Sequence, residues 1–570
     1  MPFFGRRRVH VNLTTAPILA IFILWASQCL GPQQFRDGIA GTDGVKPYNI
    51  LILFISLAYM AITLDITGVL QAAAFWVSNK GGNNGWKLFL YFYLMLTVLS
   101  VVLGNDPIIL SGTAFLVYYT KVNELEPIAW LMSEFAAANT ASMVLFVGNP
   151  TNVVICEGFR INNAAFTAYT ILPFLACSLF CLGALAIQFR KETHIPRNLN
   201  VSGDLDVRSV LLDPKGAWVG SVILGLCLIV IIVVSFFHVD VWKISLPFAA
   251  AKFIFDMCWD RYRFTRGLLG QRGEKSDEDI GQREEGVIMD QLRRHRGVAN
   301  GHGNAPLDRE AQQKEETQGQ VSSIRAPTVN QPTRAGTEDT IFNSTFSQKS
   351  PSMRSVPASS KSRVLSRKSD VSPKFLLGLA SWRRRIGHYF QTHFPTIHTA
   401  FPRLPFALIP FAFSQFILIE ALARQGWIEI FAKWLVTLTG REMYKTVWVV
   451  GVLGVILCNV AGTNIGATIL LTKIVRSAEL SYIPPTDGST PVNLEAFSRA
   501  SAIALAVASN IGAVSFTFSA SLAGLLWKQI LNQKGIFVQQ KQFAKWNLLP
   551  LLAMTIVGLG VASGEVGVLY

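Results

Sequence analysis

The hydrophobic positions of this chain form long, nearly unbroken apolar runs, not the short alternating or 3.6-residue patterns of a soluble domain. Most of these runs approach or exceed the roughly 17–25 residues that a helix needs to cross a bilayer. The runs lie at 11–30, 50–70, 86–103, 167–187, 218–237, 404–422, 446–457 and 547–561. With shorter apolar stretches between them, they predict an all-α polytopic membrane protein with about 10–13 hydrophobic segments.

The apolar pattern stops after Trp259, where the sequence becomes rich in Arg, Gln, Glu, Ser, Gly and Pro until about residue 372. Such a segment cannot bury enough apolar surface to fold alone, so we predict that it is disordered. The chain then divides into an N-terminus (1–11), an N-terminal membrane half (12–258), a linker (259–402) and a C-terminal membrane half (403–570).

The net charge of +15 agrees with a membrane location and does not require nucleic acid as a partner. Much of the basic charge lies in the N-terminal GRRRV, in the 188–216 loop and in the linker. The positive-inside rule places all three in the cytoplasm. Counting spans from a cytoplasmic N-terminus then gives the two membrane halves opposite orientations. We expect the plasma membrane, with a vacuolar or other internal membrane as the alternative.

Two stretches of the chain share one pattern. One reads ANTASMVLFVGNPTNVVI (138–155) and the other SNIGAVSFTFSASLAGLLW (509–527). Each begins with a small residue and Asn (Asn139, Asn510), and continues through Gly and hydroxyl residues into an apolar helical pattern. Such residues inside an apolar run predict a helix break, whose exposed backbone must be met by protein, ion or substrate. Paired broken segments are the best sequence indication of a transporter's binding site.

The correspondence extends to other features in the same order. Asn105 in VVLGNDPIIL aligns with Asn459 in GVILCNVAGT, and Asp65 and Glu420 each precede a Trp-containing amphipathic stretch. We therefore predict two inverted repeats, each with a re-entrant hairpin and a broken helix. Asp65 and Glu420 are interpreted as interfacial and solvated. Glu134 and Glu157, which flank the first hairpin, are interpreted as markers of water boundaries.

Asp106 is a carboxylate where an apolar span gives way to GNDPIIL. Acids inside membrane segments are costly and are functional candidates by default. An Asn or Asp before Pro107 is also a common helix start, so a capping role is open and compatible with binding. Neutral amides and hydroxyls elsewhere suit Na⁺ or hydroxylated solutes, although small residues also favour helix packing. The candidate substrate- and ion-binding residues are Asn105, Asp106, Asn139, Thr140, Gly148, Asn149, Thr151, Asn152, Asn459, Thr463, Asn464, Asn510 and Ser515.

No firm metal site follows from these residues, and Na⁺ at Asn105, Asp106 and Asn139 is the one option left open. The sequence contains no GxxxxGK[ST] phosphate-binding loop, so we predict a secondary transporter and no ATPase activity. We expect no cofactor, and H⁺ or Na⁺ as the coupling ion.

The segments GNDPIILSGTAFLVYYT and FAAANTASMVLFVGNPTNVVICEGF, with the late ASNIGAVSFTFSASLAGLLW, resemble the ion transporter superfamily. They look most similar to arsenite efflux permeases, in a group that also includes sodium/proton antiporters. The resemblance implies electrochemically driven transport through a central site between two hairpins. It would place Asn105, Asp106, Asn139, Thr140, Asn149, Thr151 and Asn152 in one half-site and Asn459, Thr463, Asn464 and Asn510 in the other.

Proton-coupled efflux of a small inorganic solute such as arsenite is the leading hypothesis. The alternatives are a Na⁺/H⁺ antiporter, a silicic acid or di- or tricarboxylate carrier and, in another class, a non-transporting membrane scaffold or sensor. The expected partners are the solute or ion and the lipid bilayer, without nucleic acid. A homodimer and a kinase acting on serines of the linker remain open as further partners.

Overall fold

The computed structural model describes residues 12, 14–42, 44–199, 206–237, 239–268, 387–484 and 491–570. Their secondary structure is helical, as the apolar runs predict. The predicted disordered stretch falls almost entirely outside these residues. The helices are α1 (Thr15–Ala26), α2 (Pro32–Ala40), α3 (Pro47–Ile66), α4 (Val69–Gly81), α5 (Gly85–Leu103), α6 (Asn105–Val122), α7 (Pro127–Ala141), α8 (Pro150–Gly158), α9 (Asn163–Gln188), α10 (Pro214–Val234), α11 (Trp242–Thr265), α12 (Pro395–Ala400), α13 (Leu408–Arg424), α14 (Trp427–Thr439), α15 (Met443–Val460), α16 (Asn464–Leu480), α17 (Leu494–Ile511), α18 (Leu522–Gln533) and α19 (Gln540–Leu569).

Seven helical segments in the described part of the chain are long and apolar enough to cross a membrane. They are α3, α5, α9, α10, the segment Pro395–Arg424, α15 and α19. Other helices are shorter: α7 has 15 residues and α8 has 9. At about 1.5 Å per residue neither reaches across the roughly 30 Å apolar core of a bilayer. Re-entrant hairpins in each repeat remain a prediction.

The helices α3–α9 and α13–α19 occur in the same order, and glycines with positive φ lie at the same junctions between them. The turn from α3 to α4 has Gly68 at φ +91°, and the turn from α13 to α14 has Gly426 at φ +77°. Gly104 (φ +85°) precedes α6, and Gly462 (φ +77°) lies just before α16. Glycine takes this left-handed conformation without the strain that a Cβ atom causes. Because Asn105 begins α6 and Asn464 begins α16, the helix order pairs Asn105 with Asn464 and not with Asn459.

Contacts between the two sets of helices are reciprocal. Helix α8 packs on α16 and α17, and the corresponding helix α18 packs on α6 and α7. The equivalent helices α9 and α19 pack extensively against each other, and α7 touches α17. Two-fold related repeats produce such an exchange of helix contacts. The opposite orientation of the repeats in the membrane remains a prediction.

Helices α10 and α11 extend the first half and pack on α3. A buried polar network holds them: Lys252 pairs with Asp256, which also accepts a hydrogen bond from the Tyr59 hydroxyl at 2.9 Å. One turn on, the Asp260 carboxylate accepts hydrogen bonds from the backbone amide and the hydroxyl of Thr396 at 2.8 and 2.9 Å. The bonds between Asp260 and Thr396 thus hold α12, near the end of the linker, against α11.

Candidate functional site

Each of the two predicted hairpin motifs, 138–155 (the first hairpin) and 509–527 (the second hairpin), contains a short 3₁₀ segment between two helices. These segments are Phe146–Gly148 and Phe518–Ala520. The helix that follows has a polar N-cap. The Asn149 side chain accepts a hydrogen bond from the amide of Thr151 at 3.3 Å, and the Ser521 hydroxyl accepts one from the amide of Gly524 at 3.0 Å. Pro150 at the first position of α8 suits a helix start. The breaks in the apolar runs therefore have local sequence causes.

Asn510, near the end of α17, connects the two repeats and has no exposed surface. Its Oδ1 accepts hydrogen bonds from the Ser142 hydroxyl at 2.9 Å and from Asn149 Nδ2 at 3.3 Å. Its Nδ2 donates to Asn152 Oδ1 at 2.8 Å and to the Ala506 carbonyl at 2.9 Å. One side chain of the second repeat is thus hydrogen-bonded to three side chains of the first hairpin.

Asn152 and Gly148 shape the turn of the first hairpin. Asn152 Nδ2 donates to the carbonyls of Ser142 at 2.8 Å and Leu145 at 2.9 Å. The Leu145 carbonyl also accepts the 3₁₀ hydrogen bond from the Gly148 amide at 2.9 Å. A Cβ atom at Gly148 would lie 2.5 Å from the Ser142 carbonyl oxygen. Gly148 is therefore required for close backbone approach, and the Ser142 carbonyl is held between it and Asn152.

Asn459 forms hydrogen bonds to the loop of the second hairpin, as Asn152 does to the loop of the first. Its Oδ1 accepts hydrogen bonds from the amides of Phe516 and Thr517 and from the Thr517 hydroxyl at 3.1–3.2 Å, and its amide group bonds the Ser515 hydroxyl. Asn547 Nδ2 on α19 donates to the Ser515 carbonyl at 3.0 Å. Asn459 and Ser515 thus organise the loop after α17.

The other candidates lie around these two loops. Thr463 caps α16, and Asn464 Nδ2 donates to the Ser509 carbonyl beside Asn510 at 3.3 Å. The Thr140 hydroxyl approaches Met554 Sδ at 3.3 Å. Thr151 has no exposed surface, and its Oγ1 has no hydrogen-bond partner. Thr463, Asn464 and Thr151 therefore belong to the buried polar region between the repeats.

Asn105 and Asp106 open α6, where Asn105 is 7% exposed and Asp106 is half-buried. Within the described ranges, no side-chain hydrogen bond joins either residue to the Asn510 network. Asn139 is fully buried; its Nδ2 donates to the Phe135 carbonyl at 2.8 Å, and its Oδ1 has no partner. The Asn139 Oδ1 is therefore a buried acceptor without a partner, and Na⁺ at Asn105, Asp106 and Asn139 remains a prediction.

The described residues hold no cluster of three or more His, Cys, Asp or Glu side chains that suits a metal ion.

Several acids are placed differently from the sequence-based interpretation. Glu134 is fully buried, so its assignment as a water-boundary marker is wrong. Asp65 and Glu420 are also buried, at 2% and 8% exposure, and are not solvated. Glu420 forms an ion pair with Lys473 at 2.6 Å, and Asp65 bonds the Ser111 hydroxyl. These partners come from helices distant in sequence, so no local pattern indicates them. Ser142 was also missed as a candidate, although it lies inside the quoted hairpin motif.

The sequence of this chain is similar to known membrane transport proteins. Residues 4–263 match the family model described as citrate transporter. An arsenical pump membrane protein of Yersinia enterocolitica is 26% identical over 189 residues, which is 32% of this chain and 43% of that protein. A protein of the same description from Escherichia coli is 25% identical over 209 residues, 36% of this chain and 48% of the relative.

A 46 kDa membrane protein of Mycobacterium leprae is 23% identical over 157 residues, 27% of this chain and 36% of that protein. The chain thus spans less than half the length of these curated relatives. The resemblance that the hairpin motifs indicate is confirmed: the first membrane half matches the citrate transporter family, and the chain is similar to arsenical pump membrane proteins.

Proposed function

We propose that this chain is a secondary active transporter whose solute binds between the two hairpins. The observation that carries the proposal is the Asn510 network, in which one repeat's broken helix is hydrogen-bonded to the other repeat's hairpin. Alternating access needs two bodies that move relative to one another around a shared site. Hydrogen bonds between neutral side chains hold such bodies together and break at modest cost.

The solute that fits best is a small, neutral, hydroxylated species such as arsenite in its trihydroxide form. Asn and Thr side chains offer both donors and acceptors without imposing a charge. Asn139 Oδ1 and Thr151 Oγ1 are buried without partners, and such groups gain from a ligand that bonds them. The arsenical pump relatives favour the same solute. The expected direction is efflux, with Asp106 contributing a charge for the coupling cation or proton.

A carboxylate carrier is the second candidate, because the matching family model is described as citrate transporter. A carboxylate binds best to cationic side chains or to helix N-termini. The starts of α8 and α18 supply helix N-termini at the two hairpins. Among the described residues, however, no Lys or Arg is a hydrogen-bond partner of Asn510, Asn152 or Asn459. We therefore rank citrate below the neutral solute.

Flux through purified protein in lipid vesicles tests the proposal. Arsenite, silicic acid, citrate and Na⁺ would be offered in turn, with and without a pH gradient. We expect gradient-dependent movement of arsenite, and its loss in Asp106→Asn with normal membrane insertion. Movement of Na⁺ alone would favour the antiporter alternative, and movement of citrate alone the carboxylate carrier. No flux of any of the four would contradict the proposed function.

A further inference from the structure

Glu134 is an acid that the hairpin network does not use. It lies in α7, five residues before Asn139, and its side chain has no exposed surface. Five residues correspond to about 7.5 Å along a helix axis, so Glu134 lies on α7 a little over one turn before Asn139. Buried acids inside a membrane domain are rare and tend to mark ion or proton pathways.

Only one of the two carboxyl oxygens of Glu134 has a hydrogen-bond partner. Its Oε2 accepts a hydrogen bond from the Thr113 hydroxyl at 3.0 Å, whereas its Oε1 is buried without a partner. The unpaired oxygen faces Gly112 so closely that a Cβ atom there would lie 2.5 Å from it. An ionised carboxylate without a cation or a second donor is strongly disfavoured in such surroundings, and the protonated acid is the form that fits.

No charged group in the described region compensates Glu134. The helices packed against α7 are α5, α6, α9, α17 and α18. None of their charged residues forms an ion pair with Glu134, and α9 contains no charged residue. The charged residues on α5, α6, α17 and α18 are Lys87, Asp106, Lys121, Glu495, Arg499 and Lys528.

The second repeat has no equivalent acid. When α7 and α17 are aligned on Asn139 and Asn510, Glu134 corresponds to Leu505. The only acid in α17 is Glu495, which lies in its exposed first turn. Fold symmetry therefore does not require a carboxyl group at position 134, and the buried acid is a feature that the second repeat does not share.

We propose that Glu134 is a proton-binding site of the transport cycle, holding one proton in the state described here. This inference rests on the proposed transport function and deepens it. The step is a simple protonation: the carboxylate gains one proton from one side of the membrane, and the acid releases that proton to the other side. Asp106 is then left free to serve the cation or the solute.

Glu134→Gln tests this assignment because glutamine keeps the size of the side chain and cannot lose a proton. In vesicles loaded with arsenite, we expect the variant to keep solute exchange within about twofold of wild type. Accumulation driven by a pH gradient should fall by at least about tenfold, close to the uncoupled level. Glu495→Gln is the matched control, because it removes the exposed acid of α17 and should leave both activities unchanged.

An infrared measurement makes the test independent of the solute. The wild type at neutral pH should show a carboxylic-acid carbonyl band that Glu134→Gln lacks and that Glu495→Gln retains. If Glu134→Gln fails to fold, Glu134→Asp should preserve both the band and the coupling. Unchanged coupling in a folded Glu134→Gln protein, or an unchanged band, would overturn the assignment. A wild type that moves no solute would instead contradict the proposed function, and the band would still decide whether Glu134 holds a proton.

Discussion

Asn510 and Asn139 occupy equivalent places in the two repeats, yet the structure predicts different effects when each is changed to alanine. Asn510 bonds Ser142, Asn149 and Asn152, all in the other repeat. Asn139 donates only to the Phe135 carbonyl of its own helix. Asn510→Ala should therefore loosen the contact between the repeats, whereas Asn139→Ala should not.

The expected loss in free energy of unfolding depends on how many buried polar groups each change leaves without a partner. Without Asn510, Asn149 Nδ2 and Asn152 Oδ1 lose their side-chain partner, whereas the Ser142 hydroxyl keeps its bond to the Asn139 carbonyl at 2.6 Å. A buried polar group left unpaired costs about 1–3 kcal/mol, so two cost about 2–6 kcal/mol. Hydrogen bonds in membrane proteins average about 0.6 kcal/mol in double-mutant cycles, which favours the lower end of that range. Asn139→Ala should cost less than about 1 kcal/mol.

Reversible unfolding in mixed detergent micelles would measure the free energy of unfolding of wild type and of both variants under identical conditions. We expect Asn510→Ala to lose at least about 2 kcal/mol and Asn139→Ala to remain within about 1 kcal/mol of wild type. After reconstitution into lipid vesicles, Asn139→Ala should impair solute flux through loss of its unpartnered Oδ1. Equal losses of stability in the two variants would refute the reasoning, because they would show that the bonds between repeats contribute nothing beyond helix packing.

Two further predictions concern the hairpin turn and a loop contact. Gly148→Ala should destabilise the protein by about 1–3 kcal/mol, because its Cβ would meet the Ser142 carbonyl at 2.5 Å; Gly183→Ala, which meets no atom within 4 Å, is the control in the same unfolding assay. Hydrogen bonds from Lys243 and Lys46 lower the pKa of Asp240 below its usual 3.8, and the bond to Asp240 raises the pKa of Lys46 above 10.5. The contribution of Asp240 to the free energy of unfolding is therefore fully present above pH 3.8, and it is lost as the pH falls through the lowered pKa of Asp240. The contribution of Lys46 is fully present below pH 10.5, and it is lost as the pH rises through the raised pKa of Lys46. The difference in stability between wild type and Asp240→Asn should therefore stay constant between roughly pH 5 and 9. It should shrink in stronger acid, where Asp240 is protonated, and in stronger base, where Lys46 loses its charge. A change near pH 7 would show that another group controls this contact.

The sequence by itself determined the helices, the places where they break and the repetition of the whole pattern. These features depend on local causes: apolar runs long enough to span a bilayer, Gly68 and Gly426 at left-handed turns, and Asn149 followed by Pro150 at a helix start. The hairpin motifs were sufficient to indicate the resemblance to arsenical pump proteins. Most of the candidate site residues belong to these motifs, and their role in binding remains a prediction.

Only the tertiary structure decided which of these residues meet. Asn510 reaches Ser142 across 368 positions of the chain, and Glu134 is enclosed by Gly112 and Thr113 of another helix. Periodicity places a residue on a helix but does not say which helix will cover it. For that reason Asp65, Glu134 and Glu420 were assigned to water from the sequence and are buried in the structure. The predicted pairing of Asn105 with Asn459 is wrong for a related reason, because it matched residue types and not positions in the helices. Gly104 and Thr463 are the N-caps of α6 and α16, so the helix starts pair Asn105 with Asn464.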